Sequence, residues 1–208
     1  MSRTEFDPGS LGQNEVYKLL VSALQPRPIA WVSTVSSEGI ANLAPFSFAT
    51  VASRDPATVL ISVGPGPGGR AKDTLNNARA TGCFILNVPS VRDRADVTAS
   101  STETPGSEFD LTSVTAVDGT VVAAPRVAES RMALECRVSG EVTIGSDVVL
   151  FGEVVWVHAA DGVMSEALHV DNEVLDPLGR LAGPWYAGSF SALPQASGVA
   201  PLVSAGDR

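Results

Sequence analysis

The sequence predicts a mainly β protein, a small β-barrel with Greek-key-like connections and a few short helices between its strands. Five or six apolar runs have the length and the β-branched content of strands. Two of them, 131–144 and 147–158, are separated only by Gly145-Ser146, which predicts a long antiparallel hairpin. The remaining runs do not alternate regularly with helical patterns, which argues against a parallel sheet.

The first elements are a helix and two strands. An amphipathic helix is expected over 14–24, with Asn14 as its N-cap and Pro26 beyond its end. Strands over 29–35 and 40–51 follow, joined by a tight turn. The second strand contains asparagine, proline and serine within an apolar run, and proline cannot donate to the ladder of a central strand. Such an interruption frees neighbouring backbone N–H groups, often for a ligand.

The middle of the chain has the order strand, glycine-rich loop, helix, strand. These elements are predicted over 57–63, 64–69, 73–80 and 83–88, and Gly82 takes the left-handed position after the helix. The amides of a glycine-rich turn and of a helix N-terminus carry partial positive charge. This layout is therefore typical of a phosphate-binding loop.

The loop is not the P-loop of a nucleoside triphosphatase, because Arg70-Ala71 stands where that motif requires Lys followed by Ser or Thr. Arg70, Lys72 and Thr74 nevertheless cluster at the start of the helix, where Asp73 is well placed as N-cap. These residues could bind a monophosphate, or they could form a solvated turn with two exposed cations. The loop alone leaves both interpretations open.

The second half of the chain gives weaker signals before the long hairpin. A short helix is expected over 91–99, a polar loop over 100–107 and an apolar patch over 114–122. The residues after the hairpin are rich in Gly and Pro and are expected to be irregular.

Length and composition indicate one domain and argue against some partners. The 208 residues fit a single domain over 14–190, between a flexible N-terminal tail over 1–13 and an irregular C-terminal tail over 191–208. A net charge of −9 without any basic cluster argues against binding of nucleic acid and against recruitment to a membrane surface. Since the sequence has no secretory leader pattern and no long apolar run, we expect a cytoplasmic protein.

Disulfide and metal sites are not expected. Cys83 and Cys136 lie in apolar strand-like runs, and we interpret them as reduced core residues. The two cysteines have no CxxC spacing, and the histidines are His158 and His169, so the sequence predicts no metal site.

Several motifs follow one another over roughly residues 15–190. The longer ones are Pro-Arg-Pro-Ile-Ala-Trp-Val-Ser-Thr-Val at 26–35, Asn-Leu-Ala-Pro-Phe-Ser-Phe at 42–48, Lys-Asp-Thr at 72–74, Thr-Gly-Cys-Phe-Ile-Leu-Asn-Val at 81–88 and Gly-Arg-Leu-Ala-Gly-Pro-Trp-Tyr at 179–186. Further matches lie at 124–130, 134–136 and 152–158. In this order the motifs closely resemble the flavin reductase-like family of FMN-binding split barrels, in which the flavin site lies at a homodimer interface.

The resemblance implies an NAD(P)H-dependent flavin reductase with FMN as its cofactor. In such an enzyme NADH or NADPH gives a hydride to flavin N5, and reduced flavin passes to a partner such as a monooxygenase. Two alternatives stay open: an FMN-binding electron-transfer protein without nicotinamide activity, and an FMN enzyme acting on its own small organic substrate. A flavin-free barrel that serves as a binding module is a third. The residues do not separate NADH from NADPH, or FMN from FAD.

The resemblance also implies which residues bind the flavin. Residues around the glycine-rich loop would hold the phosphate, and the strand over 29–35 would follow the ribityl chain. The asparagine amide and backbone groups within 42–48 would meet the pyrimidine edge of the ring, and the C-terminal motif would lie over the flavin. The full set is Arg27, Ser33, Thr34, Asn42, Ala44, Phe46, Ser47, Phe48, Ser62, Arg70, Lys72, Thr74, Arg180 and Tyr186.

His158, at the end of the long hairpin, is the candidate catalytic residue. It could contact the nicotinamide or guide a proton towards flavin N5, or it could be a surface histidine at a strand end. The aromatic residues have two interpretations as well. Phe46 and Phe48 either flank the flavin or pack, and Trp31 is expected in the core.

Overall fold

The structure is a computed structural model that describes residues 3–188, so the expected tail over 191–208 lies outside the described residues. Its α-helices are α1 (Gln13–Ala23), α2 (Asp73–Thr81), α3 (Arg94–Ala99) and α4 (Asn172–Leu175). Its strands are β1 (Arg27–Pro28), β2 (Ala30–Val35), β3 (Ala41–Phe46), β4 (Ala49–Arg54), β5 (Ala57–Val63), β6 (Cys83–Val88), β7 (Ala116–Asp118), β8 (Pro125–Val127), β9 (Met132–Ile144), β10 (Asp147–Ala159), β11 (Gly179–Arg180) and β12 (Tyr186–Ala187). No helix within 3–188 is long and apolar enough to span a membrane.

A seven-stranded antiparallel sheet, in the order β3-β2-β6-β9-β10-β5-β4, forms the body of the protein. β3 and β4 are consecutive in the chain, with Ser47 and Phe48 between them, yet they lie at opposite ends of this order. The sheet therefore curls until its two edges approach each other at this corner, where the Phe48 carbonyl accepts the Ser62 N–H at 2.7 Å. This is the mainly β, single-domain barrel that the sequence predicts.

The single strand predicted over 40–51 is wrong, because two strands occupy these residues. β3 ends at Phe46 and β4 begins at Ala49 on the other edge of the sheet. Pro45 is tolerated in β3 because an edge strand has an unpaired side, where a residue without an N–H costs no ladder bond. The chain changes partner at this corner because the barrel closes there, which is a long-range effect.

The sheet buries apolar side chains on both faces. Inside the barrel Ile61 and Phe84 are completely buried, and Leu75 of α2 packs in the same cluster. On the outer face Trp31 is completely buried as predicted, and its Nε1–H donates to Ser100 Oγ at 2.9 Å. These two cores fix β2, β3 and α2 relative to one another, and those elements build the site described below.

The N-terminal helix begins slightly earlier than predicted. α1 starts at Gln13, so Asn14 lies inside the helix and is not its cap. The Gly12 N–H donates instead to Glu15 Oε2 at 2.9 Å, so a side chain of the first turn satisfies the backbone N–H of the cap residue. At the end of α2, Gly82 adopts a left-handed φ of +71°, as predicted.

Cys83 and Cys136 are free and buried, as predicted. They lie on the neighbouring strands β6 and β9, but Cys136 is opposite Phe84 in the register, so the two thiols are on opposite faces of the sheet. Burial, together with the nearby Glu135 carboxylate, raises the pKa of Cys136 to about 12. Such a thiol is a core residue and not a reactive one.

Candidate functional site

The candidate site is a cavity of about 820 Å³ on one side of the barrel. Four parts of the chain line it: β3, the loop that leads into α2, the first turn of α2 and the segment 100–108. This volume is within the range of small-molecule and cofactor sites, about 300–1,000 Å³. Five of the sequence-predicted flavin-binding residues line the cavity: Asn42, Ala44, Arg70, Lys72 and Thr74.

The N-terminus of α2 opens onto this cavity without a side-chain cap. Asp73, predicted as the N-cap, is the first helical residue, and the cap position is held by Lys72, whose side chain makes no capping bond. The Lys72 carbonyl accepts the N–H groups of Leu75 and Asn76, so the amides of Asp73 and Thr74 have no intrahelical acceptor. Free amides at a helix start carry partial positive charge and favour an anion.

Two cations add to this charge. The Nζ of Lys72 lies 6.0 Å from the centre of the Phe46 ring of β3. Arg70 is exposed, and its Nε donates to the Pro67 carbonyl at 3.4 Å. Across residues 3–188, neither cation forms an ion pair with a carboxylate. Both charges therefore remain available to an anionic ligand such as a phosphate monoester.

A buried hydrogen bond joins β3 to α2 at the floor of the cavity. Asn42 Nδ2 donates to Thr74 Oγ1 at 3.0 Å, and the Thr74 side chain is almost completely buried. Because a hydroxyl both donates and accepts, Thr74 keeps a hydrogen for another partner while it accepts from Asn42. The pair thus places two polar side chains of the predicted set beside the free amides of α2.

One buried carboxylate also lines the cavity. Glu108 is 5% exposed, and its Oε2 accepts the Leu43 N–H at 3.1 Å. Burial raises the pKa of Glu108, and the charge of Asp73 acts in the same direction, although the Leu43 amide opposes the shift. Sequence reasoning did not identify this residue. It follows a polar loop without local pattern, and only the folded chain brings it to the edge of β3.

The backbone of β3 differs from the sequence prediction. Because the Leu43 N–H points to Glu108, it points away from β2, and the alternation of an antiparallel pair then turns the backbone of Ala44 and Phe46 towards β2. The backbone groups of Ala44 and Phe46, which are predicted to meet the ring, therefore pair with β2 in this structure. Ala44 contributes its side chain to the cavity, and the Phe46 ring is buried in the barrel core.

Ser33 and Thr34 are completely buried and do not line the cavity. The Ser33 hydroxyl donates to the Pro125 carbonyl, and it accepts from Asn87 Nδ2 at 3.0 Å on the outer face of the sheet. Thr34 faces α2, where its Oγ1 accepts from Asn77 Nδ2 at 3.2 Å. These hydrogen bonds give both residues partners within the protein.

Arg27 lies at a structural junction outside the cavity. Its guanidinium Nη1 donates to the carbonyls of Val21 at 2.6 Å and Leu24 at 3.1 Å, which are at the end of α1. Its Nη2 donates to the Leu181 carbonyl at 3.2 Å, and its Nε to Ser47 Oγ at 3.3 Å. One side chain thus joins the end of α1, the corner between β3 and β4, and the segment after β11.

The remaining predicted binding residues lie outside the cavity lining. The Phe48 ring is 37% exposed beside the ring of Tyr17, and the Ser62 hydroxyl donates to Asp147 Oδ2 at 3.3 Å. Arg180 stacks on the Tyr186 ring at 4.8 Å in the small sheet formed by β1, β11 and β12.

His158 is also separate from the cavity. Its Nε2 is 2.7 Å from Glu135 Oε1, and the buried Glu135 carboxylate accepts N–H groups from Thr120, Val121 and Val122. Burial alone would raise the pKa of Glu135, but these hydrogen bonds outweigh it and lower the pKa. The arrangement fastens the 120–122 segment to the sheet, and the structure does not bring His158 to the other predicted site residues.

Comparison with known sequences identifies the domain family that the sequence motifs resemble. A model of the flavin reductase like domain matches residues 22–179. The uncharacterized protein BH2278 of Halalkalibacterium halodurans is 39% identical over 190 residues, covering 88% of this chain and 90% of the relative. The uncharacterized protein YwrF of Bacillus subtilis is 37% identical over 191 residues, covering 88% of this chain and 93% of the relative.

Solved structures share the fold along nearly the whole chain. Nitrilotriacetate monooxygenase component B from Bacillus cereus has a TM-score of 0.89 at 28% identity, covering 93% of this chain and 99% of that chain. The 2-nitrobenzoate 2-nitroreductase NbaA from Pseudomonas fluorescens has a TM-score of 0.86 at 25% identity, covering 98% of this chain and 100% of that chain. A split barrel domain protein from Shewanella frigidimarina confirms the split-barrel fold. Its TM-score is 0.81 at 19% identity, covering 93% of this chain and 100% of that chain.

Proposed function

Because the chain belongs to the flavin reductase-like family, we propose that it is an FMN-binding NAD(P)H:flavin oxidoreductase that supplies reduced flavin to a partner. The observation that carries this proposal is the cavity, where the polar edge of β3 meets the uncapped start of α2 and two cations that form no ion pair with any carboxylate described within 3–188. A monophosphate ester attached to a polar ring system fits that combination of charge and shape.

The residues of the cavity fit FMN by their donor chemistry. Lys72, Arg70 and the free amides of Asp73 and Thr74 would hold the phosphate, since all of them donate and none is paired with a carboxylate. Asn42, held by Thr74, would present polar atoms to the ligand from β3. FMN supplies hydride and electron chemistry when bound, so the protein's tasks are to bind, to orient and to limit access of water.

Nicotinamide dependence and the partner are further parts of the proposal. Likeness to nitrilotriacetate monooxygenase component B supports delivery of reduced flavin to a monooxygenase. We infer a homodimer in the cytoplasm, and large apolar side chains exposed on α1, directly after it and on β4 support a subunit interface. These are Tyr17, Leu20, Leu24 and Val51.

Two assays test this proposal on the purified protein. The first is the visible absorbance of flavin after purification and after FMN is added, and the second is oxidation of NADH and of NADPH in the presence of FMN. We expect bound FMN and turnover with at least one nicotinamide. FMN binding without any turnover would instead support an electron-transfer protein, and absence of FMN binding would overturn the proposal.

A second candidate is an FMN enzyme that reduces its own small organic substrate. Likeness to the nitroreductase NbaA over the whole chain favours it. The two functions differ in what happens to the flavin. A supplier of reduced flavin releases FMN after reduction, whereas an enzyme with its own substrate retains FMN through gel filtration in both redox states.

A further inference from the structure

Glu108 is a buried titratable group in the cavity, and the proposed phosphate contacts do not use it. We propose that Glu108 recognises the imide N3–H of the flavin ring and so makes the cavity specific for a ligand that carries this donor. This inference rests on the proposed function, because it assumes that the cavity binds flavin.

The position of Glu108 is fixed by the edge of β3. Its Oε2 accepts the Leu43 N–H at 3.1 Å, and the residue is 5% exposed in a segment that lines the cavity. The other carboxylates of the lining, Asp73 and Glu103, are exposed. Glu108 is therefore the buried carboxylate of the described cavity wall.

The hydrogen bonding of Glu108 leaves room for a donor from the ligand. An ionised carboxylate accepts at about four lone-pair positions. The N–H groups that face it are those of Leu43, Thr104 and Glu108 itself, which fill at most three of these positions. Since an ionised carboxylate accepts but does not donate, the remaining position selects an N–H or O–H of a ligand.

The oxidised flavin ring offers one such group. Its pyrimidine edge consists of acceptors, O2 and O4, on either side of the N3–H donor. The cations of the cavity can only donate, and the Asn42 side chain offers a neutral amide oxygen as its acceptor. An ionised carboxylate accepts more strongly than a neutral oxygen, so Glu108 is the stronger partner for the N3 hydrogen.

The test compares FMN with 3-methyl-FMN, in which a methyl group replaces the N3 hydrogen. Both flavins are titrated into the unmodified protein, Glu108→Gln and the matched control Glu103→Gln, and dissociation constants are read from flavin fluorescence. Glu103→Gln removes one negative charge from an exposed position of the same cavity. In Glu108→Gln the new carbonyl can keep the Leu43 bond, which turns the NH₂ group towards the ligand.

We expect the unmodified protein and Glu103→Gln to bind FMN about tenfold more tightly than 3-methyl-FMN, as for one hydrogen bond to a charged group. In Glu108→Gln this ratio should fall towards one. Equal binding of the two flavins by the unmodified protein overturns the inference even if the variant does not fold. An undiminished ratio in a folded Glu108→Gln overturns it as well. Both outcomes leave the proposed function intact, because that function is tested by FMN binding and by nicotinamide turnover of the unmodified protein, which neither outcome changes.

Discussion

Asn42 and Thr74 are joined by a buried hydrogen bond of 3.0 Å that fastens the edge strand β3 to the first turn of α2. The two residues are far apart in the chain, and each belongs to a different predicted motif. Their contact turns a polar interruption in a strand and a polar helix start into one site. It also fixes the distance between the place proposed for the phosphate and the strand proposed to meet the ring.

Loss of this bond should weaken both the fold and the cavity. We expect Asn42→Ala to lower the free energy of unfolding by about 1 kcal/mol, since it removes a buried hydrogen bond. Urea unfolding measures this loss, and an FMN titration measures the accompanying loss of affinity. Asn76→Ala is the matched control, because Asn76 is an exposed amide of the same cavity. Equal effects of the two substitutions would contradict the role of the Asn42–Thr74 bond.

Lys72 should act on the phosphate and not on the ring. Lys72→Ala removes one charge-assisted contact, so the free energy of FMN binding should become less favourable by about 1.5–3 kcal/mol. The affinity for riboflavin, which has no phosphate, should stay unchanged. The control is Lys18→Ala, on the exposed surface of α1. An equal loss of affinity for FMN and for riboflavin would show that the phosphate site lies elsewhere.

Arg27 should affect stability more than flavin binding. Its guanidinium bonds three backbone carbonyls at the junction of α1 and the segment after β11, and the side chain is buried. We expect Arg27→Gln to lower the free energy of unfolding by about 1–3 kcal/mol, because buried carbonyls lose their donors. Thermal or urea unfolding measures this loss of stability. The control is Arg54→Gln, since Arg54 is an exposed arginine. Unchanged stability combined with a large loss of FMN affinity would restore the role that the sequence predicted.

Glu135 should stabilise the fold at neutral pH and lose this contribution in acid. Its pKa is lowered in the folded protein, because hydrogen bonds from Thr120 and His158 outweigh the opposing effect of burial. A lowered carboxyl pKa gives stability that is fully present above the unfolded value of about 4.3 and is lost as the pH falls through the folded value.

Urea unfolding of the unmodified protein and of Glu135→Gln across pH measures this contribution. We expect the difference in unfolding free energy to be constant around neutral pH and to shrink below about pH 4.3. A difference that stays the same in acid would show that Glu135 acts through packing and not through its charge.

The local parts of the fold were predictable from sequence, because their signals are local. The 131–144 and 147–158 hairpin appears as β9 and β10, and the glycine-terminated helix appears as α2, ended by Gly82. Lys72 and Thr74, which the sequence predicts to bind the phosphate, belong to that local pattern, and both line the cavity.

Features set by barrel closure were not predictable in this way. The division of 40–51 into two strands on opposite edges depends on pairing with β2 and β5, which are separate strands of the same sheet. The outward-facing Ser33 and the placement of Glu108 against Leu43 also depend on contacts between distant segments. A period-2 pattern shows that neighbouring residues face opposite sides, but not which side holds the ligand.

Titration of the unmodified protein with FMN and with riboflavin tests whether the cavity at the start of α2 binds FMN through its phosphate. The two ligands share the ring and the ribityl chain and differ only in the phosphate. We expect FMN to bind at least about tenfold more tightly than riboflavin, and we expect this difference in affinity to shrink at high salt. Equal affinity for the two flavins, or no binding of FMN, would contradict binding through the phosphate.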